Sequence, residues 1–352
     1  DFELYQDIEF EYVILDEAQY IKNQKTKNAQ SVKTLKTRHK LALTGTPIEN
    51  SLAELWSIFV FLMPQYLFNY HYFQKQYESS IVKNNDEEKT KQLKKLVTPF
   101  ILRRNKKEVL KELPDKIEQN MILPFSDEEE KIYVANLAKV NEELQQLYDI
   151  EGSDKMQILK MLTRLRQLCL EPRLVYDNID QPSSKLKACM ELIKTMQENK
   201  QKVLLFSSFT SALDLIAEEC QKAGITYYML TGSTNKEERR ELVSRFQKDN
   251  TTLFLISLKA GGTGLNLTSA ENVIHYDPWW NVSAQNQATD RAYRIGQKSN
   301  VQVFNLVMKD SVEEKIIEMQ KRKKELADMF VENNSGGLSQ MSKEDILSLF
   351  TM

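Results

Sequence analysis

Two adjacent carboxylates follow a short apolar run near the start of the chain. Residues 11–15 have the composition of a buried strand, and Asp16 and Glu17 come directly after them. One carboxylate at a strand end can hold Mg²⁺ through water, and its neighbour can orient or deprotonate a hydrolytic water. Acidic pairs are common, so a solvated acidic turn has the same signature. The pair is consistent with metal-assisted hydrolysis, and the acidic turn stays open.

A second apolar run, residues 40–43, ends in a segment of small residues. Thr44, Gly45 and Thr46 allow the backbone to approach a phosphate, or a neighbouring acid, closely enough to hydrogen-bond it. Any tight turn after a strand could have this composition. The segment is therefore a candidate phosphate contact on position alone.

A glycine-rich segment follows a third apolar run. Gly261, Gly262 and Gly264 lie within four residues, flanked by Lys259 and with Thr263 between them. Such spacing brings backbone N–H groups within reach of an anion. It is not the G-x-G-x-x-G pattern, so the sequence argues against a dinucleotide site. The alternative is a loop that is glycine-rich for flexibility alone.

Two arginines follow at a helical spacing. Arg291 and Arg294 are three residues apart, which predicts one face of a helix. Two converging guanidinium groups suit the charge on a transferring phosphate, as in an arginine finger. The alternative is a surface ion-pair face around Asp290.

Adjacent tryptophans precede the arginines in a predicted loop. Successive side chains point in different directions, so one of Trp279 and Trp280 can pack while the other meets a base or another domain. A basic run at residues 103–107 could track phosphates, or it is a solvated helix face.

The elements that must position these groups alternate between strands and helices. Short apolar runs recur every 20 to 30 residues in the second half of the chain, with helical patterns between most of them. This alternation predicts an α/β fold with a parallel sheet and helices on both faces. Residues 66–180 are mostly helical and charged, with one predicted strand at 120–123. The runs of the second half are 203–206, 227–230, 253–256, 273–276 and 301–304.

Composition excludes several classes of protein. The 352 residues are 41% hydrophobic and 28% charged, which is typical of a globular protein of roughly two domains. No apolar stretch of about 18 residues predicts a membrane span, and no secretory signal is visible. Three cysteines without C-x-x-C spacing argue against a disulfide framework and a structural zinc site. The net charge of −2 excludes a uniformly basic nucleic-acid binder but permits local basic patches.

The order of these motifs along the chain is more specific than any one of them. From about Tyr12 to Phe330 the chain resembles the SWI/SNF family of superfamily 2 DNA translocases. The segments that carry the resemblance are DEAQ, LTGTPIEN, SLAELWSIFVFLMP, ILRRNKKEVLKELP, KVLLFSSFTSALDLI, SLKAGGTGLNLTSAENVIHYDPWWN and QATDRAYRIGQ.

The resemblance implies two RecA-like domains with ATP in the cleft between them and double-stranded DNA across both. We expect a partial first domain with a helical insertion at residues 1–125 and a helical protrusion at 126–182. A complete second domain is expected at 183–310, followed by a brace helix and tail at 311–352. The expected enzyme is a DNA-dependent ATPase that translocates on, or remodels, duplex DNA.

The resemblance also implies a role for each motif. Asp16 matches the Mg²⁺ ligand, Glu17 the general base, and Arg291 and Arg294 the catalytic arginines. The residues expected to contact ATP are Asp16, Gln19, Thr44, Gly45, Thr46 and Gly264. The residues expected to contact DNA are Ser207, Lys259, Gly261, Gly262, Thr263 and Trp280, the last of which matches a tryptophan implicated in coupling.

One departure from the family pattern is large. No Gly-Lys pair occurs in the chain, so the phosphate-binding loop G-x-x-x-x-G-K-[ST] is absent. The expectation is therefore the C-terminal part of a longer intracellular protein, inactive alone, with DNA-bound complexes as further partners. Its location would be the cytoplasm or nucleoid of a bacterium, or the nucleus of a eukaryote. The alternatives are a strand-separating DNA or RNA helicase and a non-hydrolysing interaction module.

Overall fold

The chain folds into two compact α/β units in a computed structural model. The first unit comprises the described residues within 1–105 and 319–342, and the second those within 106–318. The structure describes residues 2–5, 7–45, 52–84, 86–102, 104, 109–110, 112–148, 155–261 and 264–331.

The described sheet of the first unit consists of two parallel strands. Strand β1 is Glu9–Leu15 and strand β2 is Lys36–Ala42, in a register that places Ile14 opposite Leu41. The sequence predicted β2 only from residue 40, and the strand is longer because it pairs with β1 from its first residue. The carboxyl ends of the two strands, at Leu15 and Ala42, therefore lie side by side.

One face of this small sheet is packed and the other is uncovered. On the packed face, Val13 and Leu15 contact a cluster that contains Phe61. On the other face, Tyr12 is 61% exposed and Ile14 55% exposed within the described residues. Parallel sheets are normally buried on both faces, so the exposure of Tyr12 and Ile14 is unusual for such a sheet.

The other regular elements among the described residues of the first unit are helices and helical turns. The helix Leu52–Leu62 has an apolar face, on which Leu55, Trp56 and Phe59 are buried in the main core of this unit. Ser51, which precedes this helix, lies outside the described residues. The other helices are Phe2–Tyr5, Lys27–Lys33, Tyr70–Phe73, Ser79–Asn84 and Glu87–Val97, with a π-helical turn at Gln74–Glu78 and 3₁₀ turns at Ala18–Ile21 and Thr98–Phe100.

In the second unit the described residues form a six-stranded sheet in which every pairing is parallel. The strand order is β3-β8-β7-β4-β6-β5. The strands are β3 Lys116–Leu123, β4 Val203–Ser207, β5 Tyr227–Leu230, β6 Leu253–Ser257, β7 Asn272–His275 and β8 Val301–Met308.

Helices cover both faces of this sheet. Alternate residues of a strand therefore lie in two separate cores, one on each face. On β4, Leu205 lies in a core with Ile193 and Ile216, while Phe206 lies in the other core with Phe246 and Ala288. The predicted α/β architecture of the second half is confirmed. Its described helices are Asp127–Tyr148, Lys155–Leu170, Ser184–Glu198, Thr210–Lys222, Lys236–Lys248, Leu258–Gly261 and Val282–Thr289, with a 3₁₀ turn at Pro172–Leu174. A last helix, Val312–Val331, begins in the second unit, and its residues from 319 are assigned to the first.

The first predicted domain boundary differs from the structure. A first domain ending at residue 125 would include β3, whereas this strand forms the edge of the second sheet, beside β8. The two compact units divide at residue 105 instead. Pairing between strands about 180 residues apart leaves no trace in the local pattern from which the boundary was predicted. The helices described within 126–182 likewise belong to the second unit.

Within the described ranges, no helix is both long enough and apolar enough to cross a membrane.

Candidate functional site

The acidic pair of the first unit lies in a turn directly after β1. Asp16 is exposed, and its Oδ1 accepts a hydrogen bond of 2.9 Å from the backbone N–H of Glu17. Glu17 has φ 51° and ψ 52°, in the left-handed region. For a residue with a Cβ this backbone costs about 1–2 kcal/mol, so the surrounding contacts hold the turn in place.

A glutamine connects this turn to the end of the neighbouring strand. Gln19 donates from Nε2 to Glu17 Oε2 at 2.6 Å, and its Oε1 accepts from Thr44 Oγ1 at 2.7 Å. Three predicted site residues therefore form one hydrogen-bonded chain across two strand ends. Glu17 and Thr44 are 27 positions apart in the sequence.

Backbone hydrogen bonds extend the pairing of the two strands past their ends. Leu43 N–H donates to the Leu15 carbonyl at 2.8 Å, and Ala18 N–H donates to the Leu43 carbonyl at 2.9 Å. These bonds fix the two turns relative to each other. Gly45 follows, and a Cβ there would contact no described atom within 4 Å, so packing within the described residues does not require glycine. Thr46 lies outside the described residues.

The donor set at β1 fits Mg²⁺ held together with a phosphate. Among the residues that the structure describes, no cluster of three or more His, Cys, Asp or Glu could hold a metal. Mg²⁺ typically takes only one or two carboxylates and completes its shell with water and substrate phosphates. The exposed carboxylate of Asp16 meets that requirement.

The glycine-rich segment of the second unit is only partly described. Lys259 is exposed on the short helix Leu258–Gly261. Gly261 is buried, and a Cβ on it would lie 2.7 Å from Cε1 of Phe206, so packing requires glycine there. Gly264 has φ +46°, a backbone that favours glycine. Gly262 and Thr263 lie outside the described residues.

Ser207 lies at the end of β4 and is buried. Its hydroxyl donates to Asp277 Oδ1 at 2.7 Å, and the backbone N–H of Ser208 donates to the same oxygen at 3.0 Å. The expected contact between Ser207 and DNA stays a prediction. In this structure the hydroxyl supports the segment that leads to the tryptophan pair.

The two tryptophans have different environments, as the sequence suggests, and both face a residue that the sequence did not single out. Trp280 is 8% exposed, whereas Trp279 is partly buried. The guanidinium carbon of Arg166, a residue of the helix Lys155–Leu170, lies 5.3 Å from the ring centroid of Trp279 and 5.5 Å from that of Trp280. In the sequence, Arg166 looks like one more charged residue of an amphipathic helix, so no local signal identified it.

The two arginines do not lie on a helix, which corrects the prediction from their spacing. The helix Val282–Thr289 ends before them, and its last carbonyls accept turn bonds from Arg291 and Ala292. The side chain of Thr289 is drawn inward, because its hydroxyl hydrogen-bonds His275 Nε2 at 2.8 Å. Arg291 is buried and Arg294 exposed, so they face different surroundings.

Burial lowers the pKa of His275, the histidine that hydrogen-bonds Thr289 at the end of this helix. His275 lies in β7 with 1% exposure. Desolvation lowers its pKa from the usual 6.5 to about 4, against the opposing effects of Glu118 and Asp277. The imidazole is therefore neutral at neutral pH.

Comparison with known proteins places both units in one family. Residues 1–174 match the SNF2-related domain, and residues 184–296 match the helicase conserved C-terminal domain. The fold and its two matched domains thus define a protein of the helicase type. An ATPase core of SWI2/SNF2 type from Sulfolobus solfataricus, solved in complex with dsDNA, is 34% identical. The similarity covers 98% of this chain and 74% of that one, with a TM-score of 0.56.

The chain belongs to the SNF2 family, and the RecA-like α/β class predicted for it is confirmed. An uncharacterized ATP-dependent helicase of Mycoplasma pneumoniae is 38% identical over 97% of the chain, and the chain covers 32% of it. The ISWI chromatin-remodeling complex ATPase ISW1 of Saccharomyces cerevisiae is 33% identical over 97% of the chain, which covers 32% of it. The chain thus spans about a third of the length of these relatives.

Proposed function

We propose that the full-length protein is an ATP-dependent translocase or remodeller of double-stranded DNA. Its relatives are named as ATP-dependent helicases and a remodelling ATPase, and the related Sulfolobus core was solved with dsDNA. The observation that carries the proposal is the hydrogen-bonded chain from Glu17 through Gln19 to Thr44. It couples a candidate base directly to the segment after the next strand.

In this proposal the first unit supplies the hydrolytic groups. Asp16 holds Mg²⁺, which neutralises phosphate charge when bound. Glu17 orients and deprotonates the attacking water, and the Gln19 amide fixes the orientation of its carboxylate. Thr44, Gly45 and Thr46 contact the nucleotide or its acid partner. Loss of the phosphate changes what Thr44 can bind, and Gln19 passes that change to Glu17.

The second unit supplies the groups that sense the transferring phosphate and the DNA. Arg291 and Arg294 stabilise phosphate charge once the nucleotide is positioned. The backbone of Gly264 contacts the nucleotide. The groups proposed to hold the DNA backbone or to couple its movement are Ser207, Lys259, Gly261, Gly262, Thr263 and Trp280.

Contacts to phosphates make the proposed DNA binding insensitive to base sequence and sensitive to salt. The protein would act inside the cell, in the nucleoid or cytoplasm of a bacterium or the nucleus of a eukaryote. Its proposed substrates include proteins or complexes bound to DNA. We further propose that residues 1–352 alone are inactive, because they contain no phosphate-binding loop to cradle the β- and γ-phosphates.

The experiment that tests the proposal measures two activities of the full-length protein in the presence of ATP. Displacement of a third strand from a blunt duplex reports translocation, and separation of the duplex strands reports helicase activity. We expect DNA-stimulated ATP turnover with third-strand displacement only. Strand separation would instead support the helicase alternative, and turnover independent of DNA would refute the proposal. Binding without any turnover would favour the interaction module.

A further inference from the structure

The segment Asp277, Pro278, Trp279, Trp280 and Asn281, named here the tryptophan loop, is held by a helix more than a hundred residues earlier in the chain. Arg166 of that helix is 5% exposed. Its guanidinium carbon lies near three aromatic rings, at 5.3 and 5.5 Å from the centroids of the two tryptophans and 4.9 Å from that of Phe209. At these distances a cation is attracted to the ring faces.

The same guanidinium binds the backbone and the acid of the loop. Its Nη2 donates to Asp277 Oδ2 at 2.7 Å and to the Pro278 carbonyl at 3.3 Å. It also lies 2.9 Å from the hydroxyl of Ser208, which donates to Asp277 Oδ2. Arg166 and Asp277 are both buried, so this ion pair is little screened by solvent or salt.

The opposite end of the loop is fixed to the sheet and to the next helix. Trp279 N–H donates to Gln285 Oε1 at 3.2 Å, and Gln285 Nε2 donates to Asn305 Oδ1 on β8 at 3.0 Å. Asn281 caps the helix Val282–Thr289 by accepting from Ala284 N–H at 3.1 Å. This helix ends at Thr289, two residues before Arg291. The loop is therefore clamped between Arg166 on one side and the segment carrying the candidate catalytic arginines on the other.

Arginine is the side chain whose shape matches these contacts. A planar guanidinium can lie across aromatic rings while its edge donates to a carboxylate and a carbonyl. A lysine ammonium is a point charge, which cannot present a flat face to two rings and hold Asp277 at the same time. Methionine keeps the length and apolar packing but leaves Asp277 buried without its ion-pair partner.

We propose that Arg166 is a positioning residue for Trp280, and that it sets how efficiently ATP hydrolysis is converted into movement on DNA. It acts through the tryptophan loop and does not itself contact the nucleotide. The placement of the tryptophans depends on the structure alone, whereas the effect on movement rests on the proposed function.

The placement is tested optically in the 352-residue chain. The chain has three tryptophans, so a Trp56→Phe background leaves only Trp279 and Trp280 to report. We expect Arg166→Met and Arg166→Lys to shift tryptophan emission to the red and to increase quenching by acrylamide, because the rings lose their cover. Arg164→Met is the matched control, since Arg164 lies on the same helix but donates to Asn136 and Tyr176.

Far-ultraviolet circular dichroism and an unfolding curve accompany each variant. Arg166→Lys retains the charge and serves as the variant that folds if Arg166→Met does not. Emission and quenching unchanged from the background in the folded lysine variant would overturn the placement. A shift of the same size in Arg164→Met would also overturn it, because the signal would then not be specific to the tryptophan loop.

The effect on movement is tested in full-length protein by measuring ATP turnover and third-strand displacement on one DNA. For Arg166→Lys we expect displacement per ATP to fall about tenfold, equivalent to about 1.4 kcal/mol, while turnover with DNA is largely retained. A parallel fall in both rates, or no fall in either, would overturn the coupling role. If the unsubstituted protein shows no DNA-stimulated turnover, the proposed function fails, and the optical result still decides the placement.

Discussion

Lys185 and Glu313 form an ion pair inside the second unit, with Nζ 2.6 Å from Oε1 and 2.7 Å from Oε2. Their side chains are 0% and 1% exposed. Lys185 lies in the first turn of the helix Ser184–Glu198, and Glu313 lies in the first turn of the helix Val312–Val331. The pair therefore joins the starts of two helices that are distant in sequence.

We expect Lys185→Met to lower the free energy of unfolding by about 3–5 kcal/mol, because it leaves the Glu313 carboxylate buried without a counter-charge. Urea unfolding measures the loss. The double variant Lys185→Met, Glu313→Leu should recover part of it, since both charges are then removed. A double variant no more stable than Lys185→Met would contradict the charge explanation.

For Glu17→Gln in full-length protein, ATP turnover should fall about 100-fold or more, because an amide keeps the shape but cannot act as a base. ATP binding should remain largely intact. The matched control is Glu11→Gln, an exposed carboxylate on β1, the strand that precedes Glu17. Turnover within about twofold of the unsubstituted enzyme would show that Glu17 is not the base.

Gly261→Ala is expected to destabilise the second unit by about 1–3 kcal/mol, the usual effect of overpacking. The added Cβ would lie 2.7 Å from Phe206 Cε1, closer than carbon atoms tolerate. Phe206→Leu in the same chain should relieve part of the clash. Gly232→Ala is the control, since a Cβ there contacts no described atom within 4 Å. Equal unfolding midpoints for the two alanine variants would refute this explanation.

The stability of the second unit should fall on acidification between pH 6.5 and about 4, the range between the unfolded and folded pKa of His275. In that range the unfolded chain binds a proton that the folded unit excludes, so protonation favours unfolding. The contribution is complete above pH 6.5, and its slope reaches at most about 1.4 kcal/mol per pH unit.

Urea unfolding at several pH values measures this dependence. His275→Gln should flatten the slope, whereas His39→Gln should not, because His39 is an exposed residue of the first unit. An unchanged slope in His275→Gln would assign the acid sensitivity to other groups.

Residues 1–352 alone should show no measurable DNA-stimulated ATPase activity and at most weak, salt-sensitive duplex binding. No phosphate-binding loop is present to position the charge on which Arg291 and Arg294 would act. A preparation of the chain would be assayed with and without blunt duplex DNA, beside Arg294→Ala. DNA-stimulated turnover that disappears in this variant would disprove the expectation.

Local patterns in the sequence by themselves determined the class of the fold and where several of its strands end. Apolar runs such as residues 203–206 and 253–256 are long enough for buried strands and alternate with helices, so they predicted a parallel sheet. The end of each predicted strand then located Asp16, Glu17 and Thr44. The strands themselves are confirmed, because strand burial and strand ends depend on residues that are neighbours in the chain, whereas the roles of Asp16, Glu17 and Thr44 stay predictions.

Only the tertiary structure decided which distant residues act together. It placed β3 in the second sheet, joined Glu17 to Thr44 through Gln19, and seated both tryptophans against Arg166. It also ended a helix at Thr289, before Arg291, and brought the Thr289 hydroxyl against His275. Each of these outcomes depends on a contact between residues well separated in sequence. The free energy of such a contact comes from burial and geometry that no local window of residues contains.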